Sequence, residues 1–429
     1  MLDLRAIRQD PDGTRAALAR RGNAEETDGA VGRVVEMDGE RRALIAEGDE
    51  LKGRRNAASQ AVAERKRAKE SADDLIAEVR GIGDRIREID ARLREVEGEI
   101  DHVMLRLPNP VHSSVPEGGE AANTVVRSWG EVRAPAFPPK PHWEIASALG
   151  ILDLAGGAKV AGSGFPAYRG TGARLQRALV GFFLDLHTRE HGYTEVEPPF
   201  LVTRESMQGT GQYPRFVEDG DAYELPEDGL YLIPTSEVPL VNLHRDELFE
   251  ADRLPIALTA YSPCFRREAG SAGKDTRGLL RLHQFGKVEM VRFERPEASW
   301  DALERMTGHA EKALQLLGLP YRVLLLAAGD TGFGSMKTYD LEVWAPGVGK
   351  WLEVSSASNM GDFQARRASI RYRPEPGAKP EFVHTLNASG LALPRTVVAL
   401  LETYQQEDGS VAVPEALRPY LGADRITAA

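Results

Sequence analysis

At 429 residues, with 42% apolar residues and a formal net charge of −11, the chain has length for two or three domains and ample material for a large core. The acidic balance excludes a generally basic nucleic-acid coat while leaving room for a local basic patch. A single cysteine, Cys264, excludes an intrachain disulfide and a multi-cysteine zinc site, and no apolar run approaches the ~20 residues that span a bilayer.

With the polar start Met1-Leu2-Asp3-Leu4-Arg5, these features predict a cytoplasmic protein with no membrane partner. Residues 1 to about 107 are rich in Ala, Arg and Glu, and Pro11 is the only proline before Pro108. In the second half Val79, Ile82, Ile86, Ile89, Leu93, Val96, Ile100 and Val103 recur at 3-4-3-4 spacing, an apolar seam that predicts a coiled coil. The same register carried back gives a weaker seam of Met37, Arg41, Leu44, Gly48, Leu51, Arg55, Ala58 and Val62. Lys66 to Asp74 is polar enough to turn. Residues 1–110 are therefore expected to form an antiparallel helical hairpin with arms of ~35 residues, or ~50 Å. Between Lys52 and Lys69, seven basic residues (Lys52, Arg54, Arg55, Arg65, Lys66, Arg67 and Lys69) stand against one acid, Glu64. Such charge is either the solvated flank of a coiled coil or a surface that grips backbone phosphates.

Pro108-Asn109-Pro110 ends the hairpin, and the Gly/Pro-rich stretch 111–141 reads as a linker to a domain over 142–429. There, Tyr168 to Glu190 and Ala298 to Leu317 have helical patterns, and short β-type runs cover Leu230 to Pro234, Ile256 to Ser262, Leu282 to Phe293, Tyr339 to Trp344 and Trp351 to Val354. The strands mostly follow one another without helical crossovers, which predicts an α+β domain on an antiparallel sheet. No Gly-x-x-x-x-Gly-Lys-Ser/Thr loop is present, so a P-loop nucleotide site is not expected.

Thr235-Ser236-Glu237 follows a strand, where its hydroxyls and carboxylate can receive an ammonium group or cap the next helix. From Phe265 to Phe285 the order is Arg266-Arg267-Glu268, a Gly/Ser/Lys/Asp/Thr turn, then Arg281, Leu282 and Phe285. This predicts two antiparallel strands whose guanidiniums either lie solvated on a surface hairpin or bind phosphate and carboxylate, with Phe285 offering a face to a base. Glu289, four residues after Phe285, shares its face by strand alternation. Alternation also puts Glu353 with Ser355 in Glu353-Val354-Ser355-Ser356, while Ser356 is expected to begin a turn; the set is a polar strand end or a magnesium site. Asn387-Ala388-Ser389-Gly390 leads to Pro394-Arg395 and an apolar helix Thr396 to Tyr404. Arg395 falls in the first helical turn, against the macrodipole, a placement that an anionic ligand at the helix start accounts for.

Together these residues resemble the class II aminoacyl-tRNA synthetases, and specifically the bacterial-type seryl-tRNA synthetases, essentially end to end. Gly192 to Pro199 resembles motif 1 (about 192–200), the Arg266 hairpin motif 2 (about 262–291), and Asn387 to Tyr404 motif 3 (about 387–404). Only 34 residues follow Arg395, too few for the anticodon-binding domain carried after motif 3 by the relatives for Thr, Pro, His and Gly. The resemblance implies a helical tRNA-binding arm and a mixed, mostly antiparallel sheet flanked by helices. It implies ATP contacts from Arg266, Arg267, Glu268, Arg281, Leu282, Phe285, Glu353, Val354, Ser355, Ser356 and Arg395, with Mg2+ on Glu353 and Ser356 and no zinc. It implies serine contacts from Thr235, Ser236, Glu237, Arg266, Glu289, Asn387 and Ser389. Arg266, Arg281 and Arg395 are the implied catalytic cations. The implied partners are tRNA(Ser), and tRNA(Sec) where present, bound by the basic arm across a homodimer. Ala357, where the family commonly has cysteine, and Ala388, where it commonly has glycine, depart from the pattern. Two other classes remain open: a synthetase-like ligase that loads an amino acid on a carrier protein, whose relatives lack the arm, and a non-catalytic tRNA-binding paralogue, in which some of these side chains would be lost.

Overall fold

A computed structural model describes residues 1–132, 136–269 and 277–428, so the stretch Gly270 to Thr276, expected from the sequence as a turn, lies outside the described residues. The chain forms two compact units, one of residues 2–19 and 23–108, the other of Met1, 20–22 and 109–429.

In the smaller unit, helices α1 (Ala24–Arg67) and α2 (Asp73–Met104) make the expected hairpin. At 44 and 32 residues they are unequal, about 66 and 48 Å long, because the helical pattern of α1 extends well before Met37. Ile82, Ile86, Ile89, Val96 and Ile100 of the α2 seam are buried, while Val79, Leu93 and Val103 are half-buried. The weaker seam of α1 is made to fit by size and charge. Gly48 leaves room for Ile89, whose Cγ2 would lie 3.6 Å from an added Cβ. The inward Arg41 reaches across to Glu97, Nε to Oε1 at 3.0 Å. Three of the seven distal basic residues also meet acids of α2: Lys52 with Asp90, Arg54 with Glu78 and Arg65 with Asp74, at 3.7, 3.6 and 2.9 Å. Lys66, Arg67 and Lys69 are exposed.

The larger unit is built on an eight-stranded sheet of β1 (Thr124–Trp129), β2 (Thr194–Glu195), β3 (Ile256–Phe265), β4 (Gln284–Glu294), β5 (Tyr321–Leu325), β6 (Lys337–Ala345), β7 (Lys350–Gly361) and β8 (His384–Ala392). Their order is β1-β5-β6-β7-β8-β4-β3-β2, antiparallel throughout except for the parallel β2–β3 pair. Segment 111–141, expected as a linker, thus supplies an edge strand, β1, paired with β5. Strand β7 runs to Gly361, well past the turn expected at Ser356. Helices α3 (Thr171–Asp185) and α4 (Ser299–Leu316) bury one side each, as with Ala302, Leu303, Met306, Ala310, Ala313 and Leu314 of α4, while α5 (Leu393–Thr403) is buried nearly all round. These α4 side chains join Val288 and Met290 of β4 in one core.

Two irregularities decide which residues of the central strands face the same way. Opposite β6, strand β7 carries one extra residue between Glu353 and Ser355. Opposite β4, strand β8 carries one extra residue between Ser389 and Ala392. A bulge lets an odd separation share a face, so Glu353 and Ser356 line one cavity, as do Ser389 and Ala392. The two departures noted in the sequence, Ala357 and Ala388, are direct cross-strand partners of β7 and β8 and both fully buried.

Candidate active site

The cavity over β4, β7 and β8 has a basic end and an acidic end. Arg266 leaves β3 with its guanidinium 5.3 Å from the Phe285 ring centre, and its Nε donates to the Pro234 carbonyl at 3.4 Å. Phe285 sits on β4, but Arg281 and Leu282 lie in an irregular segment before it, since the strand begins at Gln284 and not, as expected, at Leu282. That freedom lets Arg281 turn into the cavity, where Nη1 donates to Glu268 Oε2 at 2.6 Å. Arg395, in the first turn of α5, donates from Nη1 to the Glu353 carbonyl at 2.8 Å, with its carboxylate 3.4 Å away. Three guanidiniums and an aromatic face therefore line one cavity.

At the acidic end Thr235, Glu237, Lys287, Glu289, Asn387 and Ser389 converge. Glu237 is buried, accepting on Oε1 from Gln364 Nε2 at 2.6 Å and Asn387 Nδ2 at 2.9 Å. Burial pushes its carboxyl up to about 7; the nearby Glu289 charge adds to the rise and the Gln364 hydrogen bond opposes it. Lys287 pairs with Glu289 and donates to Thr235 Oγ1 at 2.8 Å. Buried carboxylates outnumber the one lysine here, which suits an incoming ammonium group.

The third wall carries Glu353, Val354 and Ser356. Asp340 of β6, paired with Ser356 across the sheet, is held well above the usual carboxylate range, first by burial and then by the Glu353 charge. Its Oδ1 is buried with no hydrogen-bond partner among the described residues. An orphaned carboxylate oxygen behind a second carboxylate and a hydroxyl fits a hard divalent cation, which takes few protein ligands beside substrate phosphates.

Three expected site residues do not line this cavity. Ser236, the residue before the helix Glu237–Asn242, is fully buried, and its hydroxyl is hydrogen-bonded to that of Ser262 on β3. Arg267, one residue past Arg266, points the other way, donating to the Ala222 carbonyl at 3.0 Å and stacking 4.5 Å from the Tyr223 ring centre. Ser355, which alternation grouped with Glu353, is turned inward by the bulge and donates to the Ser389 carbonyl. Conversely, Lys287, Gln212 and Asp340 were missed. Lys287 carried a signal, since it lies between Phe285 and Glu289 in the same alternation; Gln212 carried none.

An arm of paired helices and this antiparallel sheet with its arginines define a class II aminoacyl-tRNA synthetase. The family model of the class II tRNA synthetase core domain (G, H, P, S and T) matches residues 222–404, and that of the seryl-tRNA synthetase N-terminal domain matches 1–111. A serine–tRNA ligase of Gemmatimonas aurantiaca is 55% identical, covering 98% of this chain and 99% of its own. One of Geobacillus kaustophilus is 56% identical with the same coverage. The crystal structure of seryl-tRNA synthetase from Pyrococcus horikoshii complexed with ATP superposes with a TM-score of 0.94 at 38% identity, over 100% of both chains. The chain belongs to the serine–tRNA ligases.

Proposed function

We propose that the chain activates L-serine with ATP and transfers it to tRNA(Ser), and to tRNA(Sec) where the cell has one. One observation carries this reading: on β4 a base-sized aromatic face stacked by Arg266 stands four residues from Glu289 and the acidic pocket for an ammonium group. The serine carboxylate attacks the α-phosphorus in line, the bond to the β-phosphate oxygen breaks, and pyrophosphate leaves. A terminal ribose hydroxyl of tRNA then attacks the acyl carbon and AMP leaves, its proton passing to solvent or phosphate. No protein nucleophile is required. Arg266 binds the α-phosphate and the serine carboxylate, Arg281 and Arg395 the distal phosphate, and Glu268 and Leu282 the nucleotide. Alignment and preplaced positive charge lower the barrier. Glu237, Glu289, Thr235 and Ser389 hold the serine amino group and hydroxyl. A pocket built to pair with that hydroxyl rejects alanine, which leaves its polar groups unpaired. Glu353 and Ser356, backed by Asp340, would hold Mg2+, which when bound supplies charge neutralisation on the phosphates.

The distal basic residues of α1 and its turn (Lys52, Arg54, Arg55, Arg65, Lys66, Arg67 and Lys69) grip tRNA backbone, and the segment about 192–200 joins two copies in a homodimer, across which tRNA binds in the cytoplasm. The exposure of Lys66, Arg67 and Lys69 supports the first, the likeness to motif 1 the second. Serine-dependent exchange of pyrophosphate into ATP, followed by tRNA charging with threonine and alanine as controls, tests the activity. Glu289→Ala should lower the exchange about a hundredfold in protein that still folds, although leaving the buried Lys287 without its partner lowers the thermal midpoint; near-normal exchange removes Glu289 from the serine site.

A further inference from the structure

His142 opens a short helix (His142–Ala148) and is completely buried, far in sequence from every site residue. Its backbone N–H donates to Glu402 Oε1 at 2.9 Å, and its ring Nδ1 lies 2.8 Å from the same oxygen. The other oxygen of Glu402 accepts from the Gly347 and Val348 amides at 2.8 and 3.1 Å, so the carboxylate is fixed from both sides. Across the ring, Nε2 lies 3.0 Å from the backbone nitrogen of Leu279. A backbone N–H can only donate. Nε2 is therefore the bare nitrogen, and Nδ1 carries the hydrogen given to Glu402. The ring is a neutral bridge with one possible polarity, from the Leu279 amide through imidazole to carboxylate.

What it bridges matters for the nucleotide. Leu279 lines the cavity, and Arg281 is two residues further on. Gly278, at φ +69°, passes so close that an added Cβ would lie 2.2 Å from His142 Nε2. Next to it, Arg277 stacks 4.9 Å from the ring centre of Trp143. Glu402 belongs to α5, the helix whose first turn carries Arg395. One rigid helix thus presents Arg395 directly at its start and, through Glu402 and His142 near its end, anchors the segment that presents Arg281.

We infer that His142 is a positioning residue for ATP: it ties the Leu279–Arg281 segment to α5, so that Arg281 and Arg395 keep a fixed separation on the phosphates, without itself touching substrate. The inference rests on the ATP reading above, which the exchange rate of the unaltered protein tests separately. Asparagine at position 142 keeps a donor near the Nδ1 position but leaves the Leu279 amide without its acceptor, whereas glutamine reaches the Nε2 position with a carbonyl oxygen. His142→Asn should raise the KM for ATP in pyrophosphate exchange about tenfold while the KM for serine stays within about twofold, and His142→Gln should return the ATP value to within about threefold of the parent. A merely structural role would lower the thermal midpoint and the active fraction without moving either KM. An unchanged ATP KM in His142→Asn, an equal rise for ATP and serine, or no recovery in His142→Gln overturns the inference. Should His142→Asn not accumulate as folded protein, Gly278→Ala attacks the same contact from the loop side, and the same split between ATP and serine is expected of it.

Discussion

Glu237 shows how burial and a like-charged neighbour change the acidity of one side chain. Its carboxyl is raised from the ordinary 4.5 to about 7. Between those values the folded protein keeps a proton that the unfolded chain has released, so stability falls as pH rises through that window and levels off above it. The thermal midpoint measured without serine should therefore drop between about pH 5 and pH 7, and Glu237→Gln should lose that component of the drop. A serine ammonium reverses the balance by favouring the ionised form, so binding near pH 6.5 should release a fraction of a proton. Calorimetric heats of serine binding that are identical in buffers of different ionisation enthalpy would contradict this. The paired alanines teach a related lesson. Ala357 and Ala388 look like unrelated departures along the chain, yet they face each other across β7 and β8. Their two small side chains share the same buried space, so a larger residue at one position depends on what stands at the other.

The strands explain most of what could be foreseen and most of what could not. On β4 simple alternation was sufficient: Phe285, Lys287 and Glu289 line the cavity while Val288 and Met290 enter the core. On β7 alternation failed, because the extra residue before Ser355 returns Ser356 to the face of Glu353. A bulge is a property of two strands counted against each other, and one strand's sequence does not contain the count. The hairpin gives a similar contrast. Its seam was legible from the apolar period of α2, whereas the pairing of Arg41 with Glu97 depends on the register of α2 against α1. Gly53 lies in the middle of α1, with no atom within 4 Å of an added Cβ. Gly53→Ala should stabilise the hairpin by about 1 kcal/mol, read as slower amide exchange in α1, with pyrophosphate exchange unchanged. Exchange rates equal to the parent's would show that α1 is not helical through this glycine.

The molecule divides its labour between its two units. The cavity belongs to the sheet unit alone, as all its lining residues fall between Gln212 and Arg395. The other unit exposes Lys66, Arg67 and Lys69 near the hairpin turn, and phosphate binding by such residues is expected to be salt-sensitive and sequence-independent. Deleting Arg33 to Arg106 should therefore spare serine-dependent pyrophosphate exchange, within about threefold, while abolishing tRNA charging. Charging that survives the deletion would remove the arm from tRNA recognition. Among the described residues no helix is long and apolar enough to cross a membrane.

The hairpin, the antiparallel character of the sheet, and Arg266, Arg281, Arg395, Phe285 and Glu289 as candidates were legible along the chain, because local periodicity and side-chain chemistry are written residue by residue; the order of the strands was not. Which neighbours those groups meet was decided only by the fold. The cavity faces of β7 and β8 depend on bulges, the inward turn of Ser236 and the outward turn of Arg267 depend on what packs beside them, and the His142–Glu402 bridge joins positions 260 residues apart. Each of these is a relation between distant segments that acquires an energy only when both are buried together.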